Sequence, residues 1–484
     1  MTMWRIMKRL PYPSAALPPA RRIAGRDRPG QRRSVEDPVK EALVEQLKQE
    51  IRYEFSREGP PEGFPKFPDI PAGRYRSQEF FDLEMKHFWP TVWLYATREE
   101  ELPEPGFYQV WDHLGIQVIL VRGEDLAIHA FENASVDGSP IFDVPDDSDL
   151  FHWKEFDSAG NNLQFQQEFP RRKLPEGVFR SHEGHLYDFT TGKFVGDKAG
   201  IPEEKHRIRE LRCETWDGWV FINQDPDAEP LLDWLHPLPE QMSMFQGATL
   251  RMIDKRWTII PCNWKVTVEA FQEVYHFKHI HQKAGVSGLD QRGATMGVLP
   301  NGHSRMITPL SKRAAEMTGM DHQLDWRTDL DRQAFGALHD GMAEIKTVNG
   351  MTRCTSTAFS AFPNLVTPVS ATGMPFLLAW PLDVGTTRFE WITFCVDWGD
   401  GPSPASSEVW RNRLDGFDVV MEEDTRNMAP MQKSLNSPGL TGMPVSYQER
   451  RIWNCAEQLD RMIGPERIPE DLRVPQLLAP YVER

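Results

Sequence analysis

The sequence predicts an α+β protein in which a small all-β module precedes a larger domain of antiparallel sheet and helices. Three observations lead to this prediction. Between about residues 100 and 225, short apolar runs such as Ile116–Val121 alternate with turn residues. Between residues 356 and 396 the apolar runs become longer and are rich in β-branched and aromatic residues. Finally, 404–435 and 447–463 have the apolar spacing of amphipathic helices.

We expect the chain, 484 residues long, to divide into four parts. Residues 1–38 are rich in Arg and Pro and predict a disordered basic extension, with an organelle-type leader as the alternative. Residues 39–98 predict a helical segment that packs on the larger domain, with Ser77 as a helix N-cap. The β module takes 99–225, and the larger domain takes 226–484.

Composition excludes several classes of function. The net charge of −16 argues against a nucleic-acid surface, which needs clustered Lys and Arg. No apolar run approaches the about 20 residues that cross a bilayer. The five cysteines are scattered and never form a Cys-x-x-Cys pair, which favours a reducing compartment such as the cytoplasm.

The candidate functional segment is 263–281, whose last nine residues contain one carboxylate, Glu273, and three imidazoles. Histidine is the commonest side-chain ligand of catalytic metals. Two imidazoles and one carboxylate on one face of iron(II) leave positions open for dioxygen and for substrate-directed chemistry. The segment therefore predicts a mononuclear metal site, and the apolar spacing predicts that its ligands project from a packed helix.

Helix geometry leaves the choice of imidazoles open. Each helical residue turns by about 100°, so His276 and His279 lie about 60° apart, whereas His276 and His281 lie about 140° apart. A regular helix favours the first pair, and the second pair requires a bulge or a break. The third ligand is expected in the acidic run 422–424, which is otherwise explained as a solvated run of charges.

A di-iron centre is a competing hypothesis. Glu84-Met85-Lys86-His87 and Glu273-Val274-Tyr275-His276 are both Glu-x-x-His, and pairs of such motifs build di-iron sites in four-helix bundles. The strand-rich and proline-rich chain does not predict such a bundle, so a single ion is favoured.

Taken together, these residues resemble the iron-binding motif of the Rieske non-heme iron oxygenase (aromatic-ring-hydroxylating dioxygenase) α subunits. The motif residues are Asn263-Trp264-Lys265, Glu269, Glu273, Tyr275-His276 and His281. The resemblance covers roughly residues 70–465. It implies a Rieske-like β domain, a helix-grip-like catalytic domain, and one Fe²⁺ held by His276, His281 and Asp424.

The resemblance also implies roles for two neighbouring residues. Glu273 stands where the family places an acidic residue that bridges electron transfer between adjacent subunits, although Asp is the commoner choice there. Tyr275 is either a hydrogen-bond donor in the pocket or a packing residue.

The β module departs from the family pattern. A Rieske [2Fe-2S] cluster needs two thiolates on one iron and two imidazoles on the other. Ser135 and Asp137 stand where the resemblance places the first Cys and His, and Arg180 and Glu183 stand where it places the second. We therefore expect a degenerate Rieske-like domain that binds no cluster.

Three functional hypotheses follow. In the first, the chain is a Rieske-less α-type subunit that uses O2 to hydroxylate a small apolar substrate, aromatic or steroid- or terpenoid-like. Its electrons would come from a Rieske-containing α subunit within a trimer or hetero-hexamer, and indirectly from a ferredoxin or reductase. In the second, it is a non-catalytic structural or regulatory subunit of such an assembly. In the third, the same triad binds zinc and the chain is a hydrolase.

Overall fold

The computed structural model describes residues 38–134, 139–142, 151–156, 162–166, 172–173, 179–180, 186–188, 193–194, 208–281, 288–314 and 341–483. The α-helices are α1 Pro38–Ser56, α2 Gln78–Leu83, α3 Leu231–Leu235, α4 Leu238–Met242, α5 Trp264–Ala270, α6 Phe277–Ile280, α7 Gly350–Cys354, α8 Glu408–Leu435 and α9 Arg450–Ile463. The strands are β1 Ile70–Pro71, β2 Leu94–Arg98, β3 Phe107–His113, β4 Ile116–Arg122, β5 Ile128–Glu132, β6 Phe151–Phe156, β7 Asn162–Gln166, β8 Arg172–Lys173, β9 Phe179–Arg180, β10 Leu186–Asp188, β11 Lys193–Phe194, β12 Glu210–Trp216, β13 Trp219–Asn223, β14 Leu250–Ile260, β15 Thr295–Val298, β16 Ser304–Pro309, β17 Thr355–Ala361, β18 Leu365–Val369, β19 Gly373–Asp383, β20 Thr386–Val396 and β21 Gly442–Met443.

The predicted β module forms an antiparallel sheet in the order β2-β13-β12-β5-β4-β3-β8. Successive residues of a strand point to opposite faces, and β4 buries both of them. Val118 and Leu120 join the main core of the molecule, whereas Ile119 and Val121 pack in a separate small core. The sheet is therefore sandwiched between its own apolar cluster and the rest of the protein.

A second antiparallel sheet carries the site, in the order β15-β16-β17-β18-β19-β20-β14-β7-β6. The long strands β19, β20 and β14 form its centre through continuous registers. At one edge, β7 pairs with β14, so β6 and β7, which lie within the range 99–225 assigned to the β module, extend this second sheet instead. The predicted combination of antiparallel sheet and helices is confirmed.

Helices cover this sheet and position the site. Helix α5 contacts β19 and β20, and α8 contacts α5. The buried residues of α8 recur at helical spacing along one stripe, which directs this stripe towards the core. These residues include Met421, Asp424, Met428, Gln432 and Leu435.

The N-terminal helical segment packs on the same half of the molecule. In α1, Leu47 and Ile51 are fully buried against Ile307 and Met351. Ser77 caps α2 as predicted, because its Oγ accepts a hydrogen bond from Phe80 N at 3.3 Å. The chain then widens into a π-helical turn at Glu84–Phe88. Among the described residues, no helix combines the length and the apolar character that crossing a membrane requires.

Candidate metal centre

The candidate metal-binding segment is a broken helix rather than the continuous one that its apolar spacing predicts. Helix α5 ends at Ala270, and its last hydrogen bonds shorten to the i−3 type, from Phe271 N to Val268 O (3.1 Å) and from Gln272 N to Glu269 O (2.9 Å). A turn follows before the single-turn helix α6. His276 flanks the start of α6 and His281 flanks its end, so the break required for this pair is present.

The break brings His276 and His281 to Asp424 of α8. The distance from Asp424 Oδ1 is 3.5 Å to His276 Nε2 and 3.2 Å to His281 Nε2. The three ligand atoms lie within 4.8 Å of one another. Two ligand atoms each about 2.1 Å from one ion and at right angles are about 3 Å apart, so the spacing fits one metal ion.

Two further carboxylates fix the orientation of the imidazoles. The Glu273 carboxylate contacts His276 Nδ1 and also accepts a hydrogen bond from His276 N at 3.3 Å. Glu423 Oε2 lies 3.2 Å from His281 Nδ1. A carboxylate at Nδ1 holds that nitrogen protonated and leaves the Nε2 lone pair for a metal, which is the usual arrangement of outer partners around metal-binding histidines.

The chemistry of the donor set favours a cation. Asp424 is 4 % exposed, and its Oδ1 has no hydrogen-bond partner of acceptable geometry among the described residues. Burial lowers the pKa of His281, but the contacts with Asp424 and Glu423 outweigh burial and raise this pKa above its ordinary value. Both observations report an excess of negative charge, which a divalent ion would balance.

Other sequence candidates lie outside the triad. His279 is exposed, and so is Tyr275, whose hydroxyl lies 3.2 Å from Ser446 Oγ. Glu84, proposed for a di-iron centre, is instead fully buried and bonded to Lys265 Nζ at 2.5 Å and to Trp264 Nε1 at 3.1 Å. The described residues thus support one mononuclear site.

The Asn-Trp-Lys part of the motif anchors α5. Asn263 Oδ1 caps the helix by accepting from Lys265 N at 3.1 Å. The Asn263 backbone N–H donates to Gln432 Oε1 at 2.9 Å. Because Gln432 lies two turns beyond Asp424 on α8, this bond ties together the two elements that carry the metal ligands.

Glu423 is the functional residue that sequence reasoning passed over. It was considered only as part of an acidic run, yet it is 4 % exposed and supports His281. The predicted substitutions for the cluster ligands cannot be placed. Ser135, Asp137 and Glu183 lie outside the described residues, and Arg180 is described only as backbone of β9.

Comparisons with known proteins agree with this geometry. Residues 241–465 match the family described as "Ring hydroxylating alpha subunit (catalytic domain)". The chain is 25% identical over 241 residues to 2-aminobenzenesulfonate 2,3-dioxygenase subunit alpha of Alcaligenes sp, covering 48% of this chain and 55% of that protein. It is 21% identical over 331 residues to the terephthalate 1,2-dioxygenase terminal oxygenase component subunit alpha 2 of Comamonas sp, covering 66% and 75%. This chain spans about half the length of several curated relatives.

Solved structures show the same fold at low identity. Naphthalene 1,2-dioxygenase from Rhodococcus sp. bound to indole has a TM-score of 0.58 and 19% identity, covering 87% of this chain and 98% of that chain. The quaternary ammonium Rieske monooxygenase CntA in complex with L-carnitine also has a TM-score of 0.58, with 16% identity and coverage of 83% and 99%. Residues 241–465 thus match the catalytic domain of ring-hydroxylating α subunits, the family that the motif resembles.

Proposed function

We propose that the chain is an oxygenase α-type subunit with a mononuclear non-heme Fe²⁺ at His276, His281 and Asp424. The observation that carries the proposal is the convergence of two Nε2 atoms and one buried, unbonded carboxylate oxygen. The family match of the surrounding domain supports iron over other metals.

The residues of the chain have separable roles at this centre. Bound iron(II) supplies open coordination positions and one electron for the reduction of dioxygen. Glu273 and Glu423 orient the imidazoles. His281 and Asp424 are 2 % and 4 % exposed, which keeps water from one side of the site, whereas His276 is more accessible.

The second electron is proposed to come from another subunit. Ser135, Asp137, Arg180 and Glu183 would leave this chain without a [2Fe-2S] cluster, because none of them is a thiolate or an imidazole. A Rieske-containing α subunit, reduced through a ferredoxin or reductase, would then supply the electron within a trimer or hetero-hexamer. Glu273, whose side chain is 15% exposed, is the proposed link.

The substrate is proposed to be a small apolar compound, aromatic or steroid- or terpenoid-like. Val274, between the two helical pieces, packs in an apolar cluster with Met296, Met306 and Ala358. Such surroundings favour an apolar ligand. Two similar proteins are named for the aromatic anions 2-aminobenzenesulfonate and terephthalate, which support the aromatic ring of the proposed substrate but not its apolar character.

The test reconstitutes the Fe²⁺-loaded chain with its Rieske-containing partner, the reductase and O2. We expect His276→Ala to abolish the turnover that depends on this chain, and the matched variant His279→Ala to retain it. Turnover that survives His276→Ala would show that the subunit is non-catalytic. Metal analysis after anaerobic purification tests the hydrolase alternative, which requires zinc in place of iron.

A further inference from the structure

Arg451, near the start of α9, is a fully buried cation. Its Nε donates to Ser304 Oγ at 2.9 Å and its Nη2 donates to Ser360 Oγ at 2.7 Å. These serines face each other across β16 and β17. No carboxylate among the described residues forms an ion pair with Arg451. Burial lowers its pKa to about 9, so the group remains charged near neutral pH, and a buried charge held by neutral partners is costly.

The third acceptor of this guanidinium lies in the broken helix. Arg451 Nη1 donates to Gln272 O at 3.3 Å. Gln272 follows the end of α5, where backbone carbonyls lose their helical partners, and directly precedes Glu273. The side chain of Gln272 is also held, because its Nε2 lies 3.2 Å from Sγ of Cys455, one turn further along α9.

We propose that Arg451 is a positioning residue for the metal centre, which fixes the Gln272 carbonyl so that the following turn presents Glu273 and His276. The proposal rests on the metal site proposed above. The planar guanidinium suits this task because its donors diverge towards three acceptors on three different elements. A lysine keeps the charge but replaces that fork with a single nitrogen.

A purely structural role would also explain a buried arginine, and β16 supplies the matched control. Arg305 is 1 % exposed and donates to Glu483 at 2.9 Å and to Gln241 at 2.8 Å. It neighbours Ser304 in sequence but points to the opposite face of the strand. Arg305→Lys therefore disturbs a buried arginine on β16, the strand of Ser304, but leaves the contact between Arg451 and Gln272 in place.

The test measures anaerobic Co²⁺ affinity and the visible absorption of bound Co²⁺, together with urea unfolding. Arg451→Lys is expected to weaken Co²⁺ binding by about tenfold, the lower end for outer-sphere changes, and to alter the spectrum. Arg305→Lys is expected to change stability while leaving both Co²⁺ readouts as in wild type. Cys455→Ala removes the contact with the Gln272 side chain but keeps the buried charge of Arg451. It is expected to weaken Co²⁺ binding severalfold.

Co²⁺ affinity and spectrum equal to wild type in Arg451→Lys would overturn the positioning role. If Arg451→Lys does not fold, Ser360→Ala is used instead, because it removes the acceptor of Arg451 Nη2 and leaves Gln272 and Cys455 unchanged. Ser360→Ala is expected to weaken Co²⁺ binding, and wild-type Co²⁺ binding in that variant would overturn the role. A wild-type chain that binds no Co²⁺ would refute the metal site, and the positioning role with it.

Discussion

The carboxylates that contact Nδ1 of the two imidazoles decide which nitrogen faces Asp424. Without them, His276 and His281 could each adopt either neutral tautomer, and three of the four combinations would turn at least one N–H towards the ion. Glu273 and Glu423 remove that ambiguity from opposite sides, one from the turn and one from α8. At this scale, the site comprises five residues rather than three.

Glu423→Gln is expected to weaken Fe²⁺ or Co²⁺ binding by about 10–100-fold. The substitution keeps the shape of the side chain but removes the charge that holds a proton on His281 Nδ1. Anaerobic metal titration measures the effect. Glu422→Gln is the control, because Glu422 is the adjacent carboxylate and is exposed. Equal affinities in the two variants would contradict the role of Glu423.

The sequence predicted the three proposed ligands through the motif, and the structure brings them together. It did not predict Glu423, because 422–424 is a run of acids with no internal sign of which side chains face inward. That information depends on how α8 rotates against α5, which local spacing does not contain. Glu422 is exposed and Asp424 is buried, which agrees with the rotation of about 200° between helical residues two positions apart.

At the scale of elements, α5 connects the N-terminal helices to the site. Lys265 Nζ lies 2.5 Å from Glu84 Oε1, with side-chain exposures of 7% and 0%. Trp264 Nε1 donates to the other oxygen of the same carboxylate at 3.1 Å. The Asn-Trp-Lys motif thus docks α5 on the π-helical turn, and its Trp and Lys act through a hydrogen bond and an ion pair with Glu84 rather than through the metal.

Lys265→Met is expected to lower the free energy of unfolding by about 3–5 kcal/mol, because it leaves the Glu84 carboxylate buried without its cation. Urea unfolding measures the loss. The double variant Lys265→Met/Glu84→Leu should recover part of the stability, because neither charge then remains. The exposed Lys278→Met serves as control and should change little. If Lys265→Met leaves the free energy of unfolding close to that of wild type, the Lys265–Glu84 ion pair is not required for stability.

Strands β17 to β20 of the second sheet were predicted, because their β-branched and aromatic runs agree with their pairing, whereas β6, β7, β15 and β16 of the same sheet were not. The region 356–396, whose apolar runs predicted strands, is occupied by β17 to β20. The break after Ala270 was considered only as a requirement for the pair His276 and His281, since the apolar spacing of 263–281 is continuous. Contacts from other elements, including Arg451 on Gln272, accompany the break, and no local pattern encodes them.

At the scale of the whole molecule, His303 links the connector after the β module to the second sheet. It is fully buried, with Nε2 2.8 Å from Trp234 O, while its Nδ1 accepts from Phe362 N at 2.9 Å. The acceptor role at Nδ1 requires a neutral ring. Burial lowers the pKa of His303 from 6.5 to about 4, although the bond to Trp234 opposes the shift.

Stability is therefore expected to fall as the pH drops from about 6.5 towards 4. Over this window the unfolded chain takes up a proton on residue 303 that the folded chain excludes, which costs at most about 1.4 kcal/mol per pH unit. Unfolding free energies between pH 7 and 4 should show a shallower slope in His303→Gln. The exposed His236→Gln is the control and should keep the wild-type slope. If the unfolding free energy of both variants has the same slope against pH, His303 is not the source of the predicted loss of stability.

The most direct test of the metal centre is the iron content of the anaerobically reconstituted chain, measured together with that of single-ligand variants. The account predicts one Fe²⁺ per wild-type chain, retention in His279→Ala, and loss in His281→Ala and in Asp424→Asn. Iron that persists in His281→Ala and disappears in His279→Ala would contradict it.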